Sequence, residues 1–195
     1  MIKFALSDLA VCGIEELPDH GRRAYTHVLS LIDPDWPDIP AFDGFGPHDR
    51  TTLRFHDVID PLPGKTPPSL ALVQEVLNFS KGLADGVAKG DEIRLLVHCH
   101  MGVSRSSAAM LSFLAQVYQG ESVDFLYERL RQIRKQAWPN SVMVGYIDDH
   151  LEFGGKLVDG LRVHYGRRLQ ERPEVGDWMM ANGRRREVEM ALPPS

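Results

Sequence analysis

The stretch "IRLLVHCHMGVSRSSAAMLSFLAQVYQG" (93–120) limits what this chain can fold into more than any other. Residues 93–98 are nearly all apolar, the pattern of a central strand covered on both faces. From about Ser104 the spacing becomes helical, with Leu111, Leu114, Ala115 and Tyr118 on one face and Gly120 as the stop. A buried strand therefore feeds a helix through a short loop that begins at Cys99. A strand of this kind needs covering layers, so the fold class expected is α/β, a small and mostly parallel sheet flanked by helices.

The rest of the chain fits that frame. Short β-type runs occur at 2–6, 25–32 and 51–56. "DPDWPDIPAFDGFGPHDR" (33–50), rich in Pro, Gly and Asp, reads as a long surface excursion that is either functional or mobile. A helix over 67–91 has Ser69 as its N-cap and Val73, Val76, Leu77 and Leu83 on one face. Ser122 opens another, carrying Val123, Leu126, Tyr127, Leu130 and Ile133 and ended by Pro139; "NSVMVGYIDDHLEFGG" begins a fourth, with Met143, Ile147 and Leu151 aligned. From about Arg167 the chain is charged and broken by Pro173, Gly176 and Gly183. We expect a domain at 1–166 and a partly helical charged appendage at 167–195, with "GRRR" (183–186) a solvated patch.

A net charge of −5 over 195 residues gives no overall basic field, so neither nucleic acid nor an anionic membrane is expected as a partner. The two cysteines, Cys12 and Cys99, make a poor disulfide framework, and the N-terminus has no secretory pattern. A reducing, cytoplasmic setting is the simplest expectation. Cys12 reads as a small buried apolar residue, with a protective Cys12–Cys99 disulfide as the alternative.

The loop after the strand carries the chemistry. Backbone N–H groups that close the gap between a strand tip and a helix N-terminus lack sheet or helix partners and form a nest for an anion. Gly102 permits a backbone angle that other residues resist. Arg105, in the first helical turn, can curl back and offer two parallel hydrogen bonds to a tetrahedral oxyanion. The same donors favour the anionic form of Cys99, since a helix N-terminus and a cationic neighbour lower a thiol pKa from roughly 8.5 by several units. A thiolate under a phosphate ester can attack phosphorus in line with the leaving oxygen.

His98, Cys99, Gly102, Ser104, Arg105 and Ser106 match HCxxGxSRS, and here the chain resembles the cysteine-dependent protein phosphatases, specifically the dual-specificity and protein tyrosine phosphatase branch. "RQIRKQAWPNSVMVGYIDDHL" resembles that branch's Pro-Asn stretch. The similarity covers about residues 51–153 and implies a protein tyrosine phosphatase-like fold, with residues 1–166 as the catalytic domain. It implies Cys99 as nucleophile and Arg105 as phosphate clamp, with His98 tuning the thiolate. Ser106 would donate a hydrogen bond to the sulfur as it leaves a phosphocysteine intermediate. The CX5R loop His100, Met101, Gly102, Val103, Ser104 and Arg105 would bind phosphate. It implies no metal and no cofactor, a phosphorylated protein or peptide as substrate, and inorganic phosphate as product; oligomeric state stays open.

The family also needs an acid for the leaving oxygen, an effect worth typically 10²–10⁴-fold. "LRFHDVIDP" offers Asp57 and Asp60; Asp57 fits the family position better, while Asp60 can simply start a turn. "PLPGKTPP" reads as an insertion, and Met101 stands where a small residue is common. Asn140 is expected to cap a helix rather than touch substrate, although the resemblance also implies an anchor behind the site; His56 is expected to be a half-exposed structural histidine, with a place at the border of the cleft as the alternative. A zinc site is disfavoured because Cys12, His150 and His164 supply no second ligand pair and an arginine would repel the cation. A phosphate- or phosphotyrosine-binding module that keeps the loop without turnover is the alternative function.

Overall fold

Four short strands pair side by side in the computed structural model, which describes residues 8–193. They are β1 (Leu9–Cys12), β2 (His27–Ile32), β3 (Asp49–Arg54) and β4 (Leu95–His98), all parallel, in the order β1-β4-β2-β3. β4 is interior and every one of its residues is buried, as its unbroken apolar run requires. β3, at the edge, alternates between exposed and half-buried positions. Register aligns the C-terminal ends: Cys12 and Ser30 flank His98. The strand expected at 2–6 lies outside the described residues.

Side chains of the inner strands sort by period two. Leu9, Val11, Leu29, Leu31, Leu95 and Val97 face the main core, whereas Ala10, Cys12, Val28 and Leu96 face a smaller cluster. The main core is roofed by helices. The smaller face is covered by α1 (Leu17–His20) and by the 33–50 excursion, whose Pro40–Gly44 turn packs Ala41 and Phe42 there. That excursion is tied down at its start, where the Arg54 guanidinium donates to the carbonyls of Asp33, Pro34 and Trp36.

The larger helices start where small polar side chains accept the first free N–H groups. Ser69 caps α2 (Leu70–Lys89), Ser122 caps α4 (Val123–Ile133) and Asn140 caps α5 (Ser141–His150). Asp148 accepts from Leu157 and Val158 at the start of α6 (Lys156–Glu171). α3 (Arg105–Val117) differs: Ser104 stands at its N-cap and makes no capping bond. α4 ends at Ile133, before the expected stop at Pro139, because the chain turns at Arg134 to pass behind the loop.

α6 runs through residue 167, so the 166/167 division falls inside a helix. α7 (Glu174–Ala181) and α8 (Arg185–Glu189) then double back, and Leu192 N–H bonds to the Arg162 carbonyl. Gly166 makes this seat possible: a Cβ there would lie 1.7 Å from the Leu192 carbonyl oxygen. Beneath, Trp138 stacks on Tyr165 with centroids 4.1 Å apart, and both are fully buried. In the "GRRR" stretch Gly183, Arg185 and Arg186 are exposed as expected, but Arg184 is only 5% exposed and departs from the solvated patch. Its charge is buried because two carboxylates and a hydroxyl meet it, a pairing invisible to local composition. No helix among the described residues is long and apolar enough to cross a membrane.

Candidate active site

The loop between β4 and α3 is held from outside by its carbonyls. His100 O accepts from Ile14 N–H (2.9 Å), Met101 O and Gly102 O from the Arg134 guanidinium (3.0 and 2.9 Å), and Val103 O from Trp138 N–H (2.9 Å). Ser104 O accepts from Ala108 and Asn140. None of the backbone N–H groups of residues 100–104 donates to an acceptor among the described residues. Together with the uncapped start of α3, this leaves a run of donors with no partner among the described residues, as an anion nest requires.

Gly102 fixes the path. Its φ is +68°, and a Cβ would fall 2.4 Å from the Cys12 carbonyl carbon and 2.7 Å from the Arg134 Nη2. Arg134 is in turn gripped by Glu16 (2.9 and 2.8 Å), which also accepts from Gly13 N–H (2.5 Å). Neither Glu16 nor Arg134 was singled out by the sequence reading: 118 residues separate them and nothing local links them.

Cys99 lies at the bottom, 2% exposed, with its Sγ 3.1 Å from Ser106 Oγ. Arg105 is 1% exposed; its Nη1 donates to Asp33 (2.8 Å) and to the Phe55 carbonyl, and the guanidinium carbon is 5.6 Å from the Phe55 ring centre. Its Nε is buried and has no acceptor among the described residues, so this edge of the fork carries an unfilled donor. Asp33 at the tip of β2 thus aims the arginine, a role the sequence reading missed because it placed Asp33 in the surface excursion.

His98 sits behind the loop. Its Nε2 shares a hydrogen bond with Ser30 Oγ (2.7 Å), and burial lowers its pKa from 6.5 to about 4. It is therefore a neutral imidazole at pH 7. His100 packs at a tilt against Trp36, with centroids 4.1 Å apart, and lies 3.7 Å from Asp33. Among the described residues no three His, Cys, Asp or Glu side chains converge as metal ligands. Both cysteines are free thiols, and burial raises Cys12 to about 12.

Cys99, Arg105, Asp57, His100, Met101, Val103 and Ser104 line one cavity of about 460 Å³. Asp33, His56, Lys65, Trp178 and Arg184 complete its walls. His56 is more deeply buried than expected, 8% exposed, because its Nδ1 accepts from Thr66 N–H (2.8 Å). Asp60 points away, half-exposed and 3.2 Å from Arg186. Asn140 fills both parts of its expectation: its oxygen caps α5 and its Nδ2 donates to Asp57 (3.0 Å).

Asp57 Oδ1 also accepts from Ser104 Oγ (2.7 Å) and Arg184 Nη1 (2.8 Å). Burial alone pushes this carboxyl up, but Arg184 and Arg105, with the hydrogen bonds from Arg184 and Ser104, outweigh it and hold it below the usual aspartate value. Arg184 and its partner Glu187 gave no sequence signal beyond a run of arginines.

No protein-family model and no curated protein matches the sequence. Solved structures do. Human DUSP28 is 17% identical, with 78% of this chain and 96% of that one covered and a TM-score of 0.54. The Yvh1 phosphatase domain from Chaetomium thermophilum is 23% identical, with 80% and 96% covered and a TM-score of 0.52. The PTP-2 phosphatase of Cydia pomonella is 21% identical, with 73% and 84% covered and a TM-score of 0.55. The parallel sheet with its strand-to-helix loop, superposed on these structures over most of their lengths, gives this chain the fold of the dual-specificity and protein tyrosine phosphatases.

Proposed function

We propose that this protein is a cysteine-dependent phosphomonoesterase acting on phosphorylated protein or peptide through a phosphocysteine intermediate. One observation carries the reading: every loop carbonyl from His100 to Ser104 is bonded outward, while the corresponding N–H groups and Arg105 Nε have no acceptor among the described residues, leaving a loop of unpaired donors on the cavity that Cys99 also lines. Such a loop is complementary to a tetrahedral dianion and to the charge that builds on its equatorial oxygens during transfer.

In the first step the Cys99 thiolate attacks phosphorus and the P–O bond to the substrate breaks, its electron pair leaving with the oxygen. In the second, water attacks phosphorus, the S–P bond breaks and inorganic phosphate departs. Ser106, 3.1 Å from the sulfur, donates to it as it is released. Asp57 takes the proton of the attacking water. Met101 and Trp178, both exposed, line the cavity with apolar surface, and Trp36 packs against His100 on its wall, which supports an aryl ester of the phosphotyrosine type.

The hold of Arg184 on Asp57 keeps a second reading in play, a module that binds phosphate without turnover. Hydrolysis of an aryl phosphate in chelator-treated buffer, with a rapid-quench search for phosphate on Cys99, separates them. The enzyme reading expects turnover and a phosphocysteine that C99S does not form. Phosphate binding with no hydrolysis of any ester sinks it in favour of the module.

A further inference from the structure

Asp57 and Asp60 lie on one short loop, and two arginines from the end of the chain grip that loop. Arg184 donates from Nη1 to the Asp57 carboxylate (2.8 Å) and carbonyl (3.2 Å) and from Nη2 to Ser104 Oγ (2.6 Å). Arg186 donates to the Ile59 carbonyl (2.5 Å) and pairs with Asp60. Behind Arg184 stands Glu187, fully buried, 2.8 Å from Arg184 Nε and held by Trp138 Nε1 (2.7 Å) and Ser141 N–H (2.8 Å). The seat is therefore anchored in the core by a buried carboxylate, and Arg184 has little freedom to move off Asp57.

Two guanidinium groups act on Asp57, and the other basic groups around it are two histidines and a lysine. Arg184 meets it from the C-terminal segment and Arg105 from the start of α3; His56 adjoins it in the chain, and His100 and Lys65 stand on the cavity wall. Ser104 and Asn140 add neutral donors to the same oxygen that Arg184 holds. The other carboxylate lining the cavity, Asp33, is committed to Arg105. A carboxyl so placed is stabilised as the anion.

We propose that Arg184 is a positioning residue of the reaction: it locks the Asp57 carboxylate beside Ser104, withholds it as a proton donor to the leaving oxygen at neutral pH, and so makes the enzyme selective for phosphate esters with good leaving groups. This rests on the phosphatase reading above. When the P–O bond breaks without a proton from Asp57, the electron pair leaves on oxygen as an anion, tolerable for a phenol with its pKa of about 10 and poor for an alkanol. The anionic Asp57 is then already in the form that accepts a proton from the attacking water. One contact slows alkyl esters in the first step and readies the second for every ester.

The test compares an aryl phosphate with an alkyl phosphate from pH 4 to 8 in the full-length wild type, R184Q, R184K and R184Q/E187Q, the last so that no buried carboxylate is left unpaired. A carbon-13 NMR titration of the Asp57 carboxyl runs alongside. The expected result in R184Q, or in the double variant if R184Q does not fold, is an alkyl-to-aryl ratio of kcat/KM that rises about tenfold near pH 6.5. The Asp57 titration should move up by about one pH unit or more, with R184K near the wild type. Adding D57N to the same background should erase the gain. An unmoved Asp57 titration, or equal loss for both esters, overturns the proposal while the phosphatase reading stands. A wild type that hydrolyses neither ester removes both.

Discussion

The phosphate loop and the acid loop face each other across one cavity and are built in opposite ways. The first is contiguous: residues 99–105 hold the proposed nucleophile, donors and clamp, and Arg134 and Glu16 brace the loop from outside. The second is assembled from afar. Asp57 takes its environment from Ser104, Asn140 and Arg184, the last 127 residues away. Oxyanion binding can be met by one turn of backbone leading into a helix, whereas the protonation state of a carboxyl depends on every charge around it.

The contrast can be broken from either side. The largest effect belongs to Cys99→Ser, which should cut aryl phosphate turnover by more than about a thousandfold while phosphate still binds, as isothermal calorimetry would show. Retained turnover would remove the nucleophile from the contiguous half. Arg105→Lys should lose about a hundredfold in kcat/KM, because a point charge cannot replace a planar fork already aimed by Asp33. Gly102→Ala should destabilise the fold by about 2–4 kcal/mol in urea melts, since left-handed backbone strain adds to a clash with the Cys12 backbone.

A pH titration of stability probes both halves together. His98 beneath the loop and His164, bonded to the Ala137 carbonyl (2.9 Å), are each lowered by burial from 6.5 to about 4. Below 6.5 the unfolded chain binds protons that the folded one refuses, so stability is full above that pH and falls as pH drops toward 4. The loss approaches about 3 kcal/mol per histidine. A flat melting temperature between pH 6.5 and 4.5 would contradict the buried, neutral state of both rings. The smallest effect is expected of Asp60→Asn: its side chain is half-exposed and pairs with Arg186 outside the cavity, so activity should change by no more than about twofold. If it instead abolishes the acid-dependent limb of the rate, Asp57 yields its role to Asp60.

What could be read in the sequence follows the same division. The interior position of β4 followed from "IRLLVH", and the caps Ser69, Ser122 and Asn140 stood where helical spacing began. Gly102 was legible because one residue type answers one backbone need. Asp33 was not, since its neighbours Pro34, Asp35 and Pro37 carry the signature of a loop and only the pairing of β2 with β4 brings it to Arg105. Arg184 was hidden for a stronger reason. Among adjacent arginines, composition favours solvent, and only Glu187 one helical turn on, paired with a tryptophan from another part of the chain, buries it. Local pattern finds groups whose partners are local.

Gly166 gives this division a meaning for the molecule's history. Any side chain at that position meets the Leu192 carbonyl and disturbs the seat of the C-terminal segment, which touches the phosphate-binding turn through Arg184 and Ser104. On the proposed reading, the nucleophile and the residue that sets ester preference lie in separate stretches of the chain, so exchanging the final helices would be a route to altering which esters are accepted without replacing Cys99.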